Sequence, residues 1–323
     1  DIIWQIGTGY FGCRTMEGEF CPDKFSEKSN LDVVKMIEIK LSQGAKPGHG
    51  GILPAEKVTA EISRIRNVPI GSDVKSPSNH SQFSGPIELL NFVKKLRDLS
   101  GGKPVGFKLC LGKRREFMAI CKAMIKTGVK PDFITVDGGE GGTGAAPVEF
   151  TNHIGSPGID ALVFIHNALT GFGLRKDIKI ICTGKISSGY GIVKKLSLGA
   201  DLTYAARSMM MALGCIQALR CNSNDCPTGV ATQDTNLTAG LVVSDKRKRV
   251  GTFHAHTVES AAEIMGAMGL NKTSELRPWH LMARVADRKT KNFFEIYHYV
   301  NEDDFLKGII PEDLKYCFDK SSP

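Results

Sequence analysis

Short β-rich runs alternate with longer helical patterns along most of this chain, and that alternation predicts parallel strands in one sheet with helices laid over them. Strands are expected at 2–6, 71–75, 105–110, 133–136, 179–182 and 202–205. Helices are expected at 32–43, 55–64, 86–99, 114–127, 158–170 and 189–198. The expected fold class is α/β, a (β/α)8 TIM-type barrel. Six strands are too few to close eight, and the chain runs from Asp1 straight into IIWQIG without an initiator Met. The barrel's first two strands are therefore expected upstream. Residues 1–240 form the expected barrel, and 241–323 a C-terminal helical extension that includes HLMARVADRKTKNFFEIYHYV.

An apolar content of 41% fits a soluble globular chain. Apolar runs such as 178–182 and 208–215 fall short of the roughly 20 residues of a membrane span. Nine scattered cysteines, an odd number, point to a reducing compartment, so a cytoplasmic location is expected. The net charge is +8, and the one dense basic run is Lys246-Arg247-Lys248-Arg249. Without interleaved aromatics it reads as a solvated face, with an acidic protein as the sharper alternative and no nucleic-acid partner expected.

Glycines gather where the strands end. DGGEGGTGAAP at 137–147, Thr183-Gly184-Lys185 and Ala206-Arg207 each follow an expected strand. Loops after the last strands of such a barrel make its common phosphate site, so Gly184, Lys185, Ala206 and Arg207 are candidates to grip a cofactor phosphate. Lys108 stands in the apolar run VGFKLC, where an ammonium is costly to bury outward, so it is expected to point inward and toward the top. Lys40 precedes LSQGAKPGHGG and Lys46 lies within it, Arg66 ends the next helical pattern, and together they suit a dicarboxylate; Lys40 alone reads equally as a helix-face lysine. Cys215, Cys221 and Cys226 are separated by five and four residues, the last followed by Pro227. That spacing suits a [3Fe-4S] cluster better than zinc, which lacks a fourth ligand nearby; three packed cysteines are the alternative.

IEIKLSQGAKPGHGG, VDGGEGGTGAAP and GCIQALRCNSNDCPTGVATQ resemble the FMN-binding synthase domain of the glutamate synthase family, over Gln5 to Gly269 and closest to its shorter stand-alone members. The resemblance implies FMN, a [3Fe-4S] cluster, and condensation of 2-oxoglutarate with ammonia to 2-iminoglutarate, reduced to glutamate by hydride from FMN. It implies that Gln5 faces the flavin pyrimidine and that Lys108 lies near its N1. Glu140, Gly141, Gly142 and Thr143 match the glycine loop beside the cofactor, Gly184 and Lys185 its phosphate loop, and Ala206 and Arg207 the following one. Lys40, Gln43, Lys46 and Arg66 match positions for 2-oxoglutarate or flavin, with Lys46 and Lys108 closest to the chemistry. Cys215, Cys221 and Cys226 match the cluster ligands. Departures are Ile52 for a glutamine, His49 for a glutamate, and Gly184-Lys185 for a double glycine.

Ferredoxin or a pyridine-nucleotide reductase is the implied electron donor. Ammonia would come free or from an amidotransferase partner, because no N-terminal nucleophilic Cys is present; a homo-oligomer is possible. The alternatives are an N-methylglutamate synthase-like subunit using methylamine, and a non-catalytic flavoprotein module. His280 and His298 read as packed or surface histidines.

Overall fold

The computed structural model describes residues 1–142, 144 and 146–323. In chain order come β1 (Ile2–Ile6), α1 (Pro22–Ser29), β2 (Val34–Lys40), β3 (Ile52–Leu53), α2 (Ala60–Arg66), β4 (Val74–Lys75), α3 (Pro86–Leu99) and β5 (Val105–Cys110). Then follow α4 (Arg114–Thr127), β6 (Phe133–Asp137), α5 (Gly158–Gly171), β7 (Lys179–Thr183), α6 (Gly189–Ser197), β8 (Leu202–Tyr204) and α7 (Arg207–Leu213). The remainder is α8 (Thr235–Thr238), α9 (Val243–Ala267), β9 (Met282–Ala286), β10 (Lys289–Asn292), α10 (Phe293–Ile296) and α11 (Glu312–Asp319).

Six strands form one curled parallel sheet in the order β1-β2-β5-β6-β7-β8, the (β/α)8-type architecture expected from the alternation. Its membership differs from expectation at two places. Residues 34–40, expected as part of a helix, are the strand β2 between β1 and β5. VKMIEIK supports either period, but Ile37 and Ile39 are wholly buried on one side while Glu38 and Lys40 point to the other. Residues 71–75 contribute only β4, which pairs antiparallel with β3 outside the main sheet. Val74 packs there with Val58 and Val68 in a small satellite core, a place for a short run that is otherwise polar.

Period-2 alternation sorts the main sheet into two faces. Ile37, Ile39, Phe107, Leu109, Ile134 and Val136 lie under the covering helices, against such residues as Leu90, Leu96 and Met118. The other face carries Gln5, Glu38, Lys40, Lys108, Thr135, Asp137 and Tyr204. Register pairs Gln5 with Glu38, Lys40 with Lys108 and Lys108 with Thr135, so polar groups line up across four strands. Gly106 makes room on this face: a Cβ there would lie 2.3 Å from the Phe133 carbonyl oxygen and 2.6 Å from its ring.

The C-terminal segment folds back onto the barrel. The helix α9 packs on α6 and α7, and Gly189 permits the approach, since a Cβ there would lie 2.4 Å from the Ala261 nitrogen. Lys122 in α4 donates to the carbonyls of Phe318 (2.6 Å) and Ser321 (3.1 Å). Residues 282–292 are not helical as expected: β9 and β10 form a hairpin whose turn, Asp287-Arg288, has Arg288 at φ 54°. Residues 282–286 alternate only loosely, and the turn residues set their state. No helix of the described residues is long and apolar enough to cross a membrane.

Replacing Gly106 by Ala should overfill the barrel interior and lower stability by about 1–3 kcal/mol. Urea denaturation followed by circular dichroism checks this; an unchanged midpoint would remove Gly106 from the packing argument.

Candidate active site

Two cavities open side by side at the C-terminal ends of the strands, and Gln43 lines both. Their volumes are about 540 and 370 Å³. Beneath them lies a buried polar network. Glu38, 3% exposed, accepts from Gln5 Nε2 at 2.6 Å and from Thr135 Oγ1 at 2.5 Å. Among the described residues Tyr204 Oη is buried without a hydrogen-bond partner, the Thr135 hydroxyl being engaged with Glu38. Burial and then the Glu38 carboxylate push its phenol up to about 12, against a smaller pull from Thr135.

The larger cavity is organised by Asp137 at the end of β6. Its Oδ2 accepts from the Gly44 N–H at 2.9 Å and lies 3.4 Å from Lys108 Nζ. Residue 44 must be glycine for this contact, since a Cβ would lie 1.8 Å from the Gly138 oxygen. Lys108 does point inward and upward, as its place in an apolar strand predicts, and lines the cavity. So do Glu140, Gly141, Gly142, Gly184, Lys185, Ala206 and Arg207. Arg207 lies flat against the Gly142 backbone, where a Cβ would fall 1.0 Å from Nη2. Gly184 and Lys185 turn the chain after β7 with φ of 97° and 51°. The Glu140 carboxylate accepts from the Gly158 N–H at 3.0 and 2.9 Å, capping α5 and fixing the glycine loop. Thr143 lies outside the described residues.

The smaller cavity gathers the expected cationic cluster. Lys40, Lys46 and Arg66 line it together with Gln43, and Gln5 opens into it rather than into the larger one. Lys40 sits at the end of a strand, not on an exposed helix face, and donates to Gln43 Oε1. Burial first, then the charges of Lys108 and Lys46, hold its pKa below the ordinary lysine value; burial lowers Lys46 likewise. Lys46 Nζ donates to the Gly50 carbonyl at 3.2 Å, and Arg66 lies over the Phe11 ring at 4.9 Å. His49 also lines this cavity, whereas Ile52 does not, so of those two departures only His49 bears on the ligand.

Sequence reading passed over Glu38, Asp137, Tyr204 and His80. His80 props the site from below, bonded to the Lys40 carbonyl at 3.0 Å and the Tyr10 hydroxyl at 3.1 Å. A charged residue alternating with isoleucines in IEIK is the signal for Glu38, visible once 34–40 is read at period 2.

Cys215, Cys221 and Cys226 lie between α7 and α8. Among the described residues no three His, Cys, Asp or Glu side chains converge on a single metal ion. Each sulfur has its own neighbour: Cys215 accepts from Gln217 N at 3.4 Å, Cys221 abuts Gly144, and Cys226 meets Thr228 Oγ1 at 3.5 Å. Burial would raise the Cys226 pKa, but the Thr228 hydroxyl and backbone N–H groups of Thr228, Ala231 and Val230 outweigh it and bring it below the usual thiol value.

Parallel strands whose polar face feeds two cation-lined cavities at their C-terminal ends define a (β/α)8-type barrel. Solved structures agree on the fold: a flavocytochrome b2 double mutant with pyruvate bound superposes with a TM-score of 0.51 at 14% identity, covering 96% of this chain and 60% of that one. The model of a conserved region in glutamate synthase matches residues 1–271, and the chain belongs to the glutamate synthase family. It is 42% identical over 298 residues to the glutamate synthase large subunit-like protein YerD of Bacillus subtilis, covering 92% of this chain and 56% of that protein. It is 36% identical to the archaeal glutamate synthase [NADPH] of Methanocaldococcus jannaschii, covering 85% of this chain and 51% of that protein. With the ferredoxin-dependent glutamate synthase of Antithamnion sp. it shares 32% identity, covering 96% of this chain and 19% of that protein. The chain thus spans about half the length of the first two relatives.

Anion binding in the smaller cavity requires Lys40 and Lys46 charged, and both titrate below the ordinary lysine pKa. Affinity for a dicarboxylate should therefore fall as pH rises through that depressed range, earlier than ordinary lysines would give. Calorimetric titration across pH checks this; Lys40→Met should weaken binding about tenfold and flatten the profile.

Proposed function

We propose that this chain is the FMN-binding oxidoreductase domain of a glutamate synthase-type enzyme, converting 2-oxoglutarate and ammonia to glutamate through 2-iminoglutarate. The observation that carries this reading is the adjacency of the two cavities across Gln43, one walled by glycine backbone and cations, the other holding three cations. FMN fits the larger cavity by the donor set present. Gly141, Gly142 and Gly184 leave bare backbone for a flat ring, and Lys185 and Arg207 supply charge for a phosphate. Lys108 would face the ring edge that becomes anionic on reduction, with Asp137 holding it in place.

Bound there, FMN supplies a hydride equivalent to C2 of an imino acid. The protein's part is placement. Lys46, Arg66 and Lys40 would neutralise the two carboxylates of 2-oxoglutarate and hold C2 at the boundary of the cavities. Ammonia adds at C2 and water leaves; two electrons and two protons complete glutamate. Electrons would come from ferredoxin or NADPH through a partner, and ammonia free or from an amidotransferase, in the cytoplasm. A [3Fe-4S] cluster belongs to this reading through the spacing of Cys215, Cys221 and Cys226 and their match to the family's cluster ligands, and no electron step is assigned to it.

The full-length protein should carry flavin which, once reduced anaerobically, is reoxidised by 2-oxoglutarate with ammonia and yields glutamate. Reoxidation by neither ammonia nor methylamine would overturn the synthase assignment, and methylamine alone would redirect it. Arg207→Ala should cut flavin retention at least about tenfold, and Lys46→Met should raise KM for 2-oxoglutarate about 10–100-fold.

A further inference from the structure

Lys57 belongs to neither cavity, yet it is 8% exposed and bonded to a loop far away in sequence. It ends a 3-10 turn at Ala55–Lys57, six residues after Gly51 in the wall of the smaller cavity. That wall is stiff. β3 pairs with β4, Ser76 N donates to the Gly51 carbonyl at 2.8 Å, and Ala55 N donates to Asp73 Oδ1 at 2.9 Å. From this support Lys57 Nζ reaches the carbonyls of Cys221 (2.5 Å) and Ala231 (2.8 Å). Both acceptors are backbone. A buried ammonium held by carbonyls rather than a carboxylate is costly, and an apolar side chain could fill the same space at lower cost.

On its far side the cysteine loop touches the larger cavity at one point and the glycine loop at another. Gln217 lines it, and Cys221 abuts Gly144 of the glycine loop, where a Cβ would lie 2.6 Å from the sulfur. Contacts therefore run unbroken from the smaller cavity's wall through Lys57 and Cys221 to the glycine loop. We infer that Lys57 is a positioning residue that ties the cysteine loop to the substrate-side wall, so that filling the smaller cavity tightens the rim of the larger one. The naming of that cavity's ligand rests on the proposed function; the tie itself does not.

Hydrogen exchange on the full-length protein, with and without 2-oxoglutarate, separates the two. Without ligand, Lys57→Met should speed exchange of amides in 219–231 about tenfold, while Lys57→Arg, which keeps the donors, stays near wild type. With 2-oxoglutarate, residues 46–51 should be protected in every variant that folds. Residues 215–231 should gain about threefold protection in wild type and Lys57→Arg, and none in Lys57→Met. Unchanged exchange of 219–231 in Lys57→Met, or equal ligand protection of the loop with and without Lys57, overturns the inference. If 2-oxoglutarate leaves 46–51 unprotected in wild type, the ligand assignment fails, and the ligand-free comparison still decides the tie. Should Lys57→Met not fold, Lys57→Gln keeps a shorter, uncharged amide donor group and is expected to lie between the other two.

Discussion

Asp137 is the contact on which the top of the barrel depends. It ends β6 at 6% exposure and joins three parts of the chain: its own strand, Lys108 on β5, and the backbone N–H of Gly44 after β2. A buried carboxylate survives only if its acceptor capacity is met, and here a cation and an amide meet it. Without it Lys108 would face Lys40 across the register with no opposite charge between them. The glycine at 44 follows from the same contact, because the loop must close to within backbone distance of Gly138.

The sequence was most informative where local chemistry and fold agreed. VGFKLC and FITV carry β-branched and aromatic residues in short runs after clear helices, and both are strands with the expected bounds or one residue more. Candidates on strand ends and glycine loops fell into two cavities because parallel topology brings all such ends to one rim. Residues 32–43 misled because an apolar run with a charge every second or third position satisfies period 2 and period 3.6 alike. Only the pairing of β1 with β5's neighbour decides between them. The neighbours of the cysteines were not legible either, since spacing fixes contour length but not direction: Cys215 meets the Gln217 amide and Cys226 the Thr228 hydroxyl.

Charge in the smaller cavity is unbalanced in a way that the fold does not correct. Glu38 is committed to Gln5 and Thr135, and Asp137 to Lys108 and Gly44, so neither serves Lys40 or Lys46 fully. Burial and mutual repulsion lower the Lys40 pKa while those two carboxylates push the other way and lose. A ligand carrying two negative charges would relieve repulsion that Glu38 and Asp137 relieve only in part.

That imbalance also distinguishes the two cavities. The larger one has backbone walls at Gly141, Gly142 and Gly184, suited to a flat group, and its cations Lys185 and Arg207 stand on the loops after β7 and β8. The smaller one has its cations on three different segments, β2, the following loop and α2, converging from separate directions. A phosphate ester suits cations on adjoining loops; a short chain with a carboxylate at each end suits cations set apart. Gln43 stands where the two spaces meet, tethered by Lys40, so a ligand drawing on Lys40 competes for the hydrogen bond that fixes Gln43. Any ligand that takes the Lys40 ammonium would thereby free Gln43 at the boundary of the two cavities.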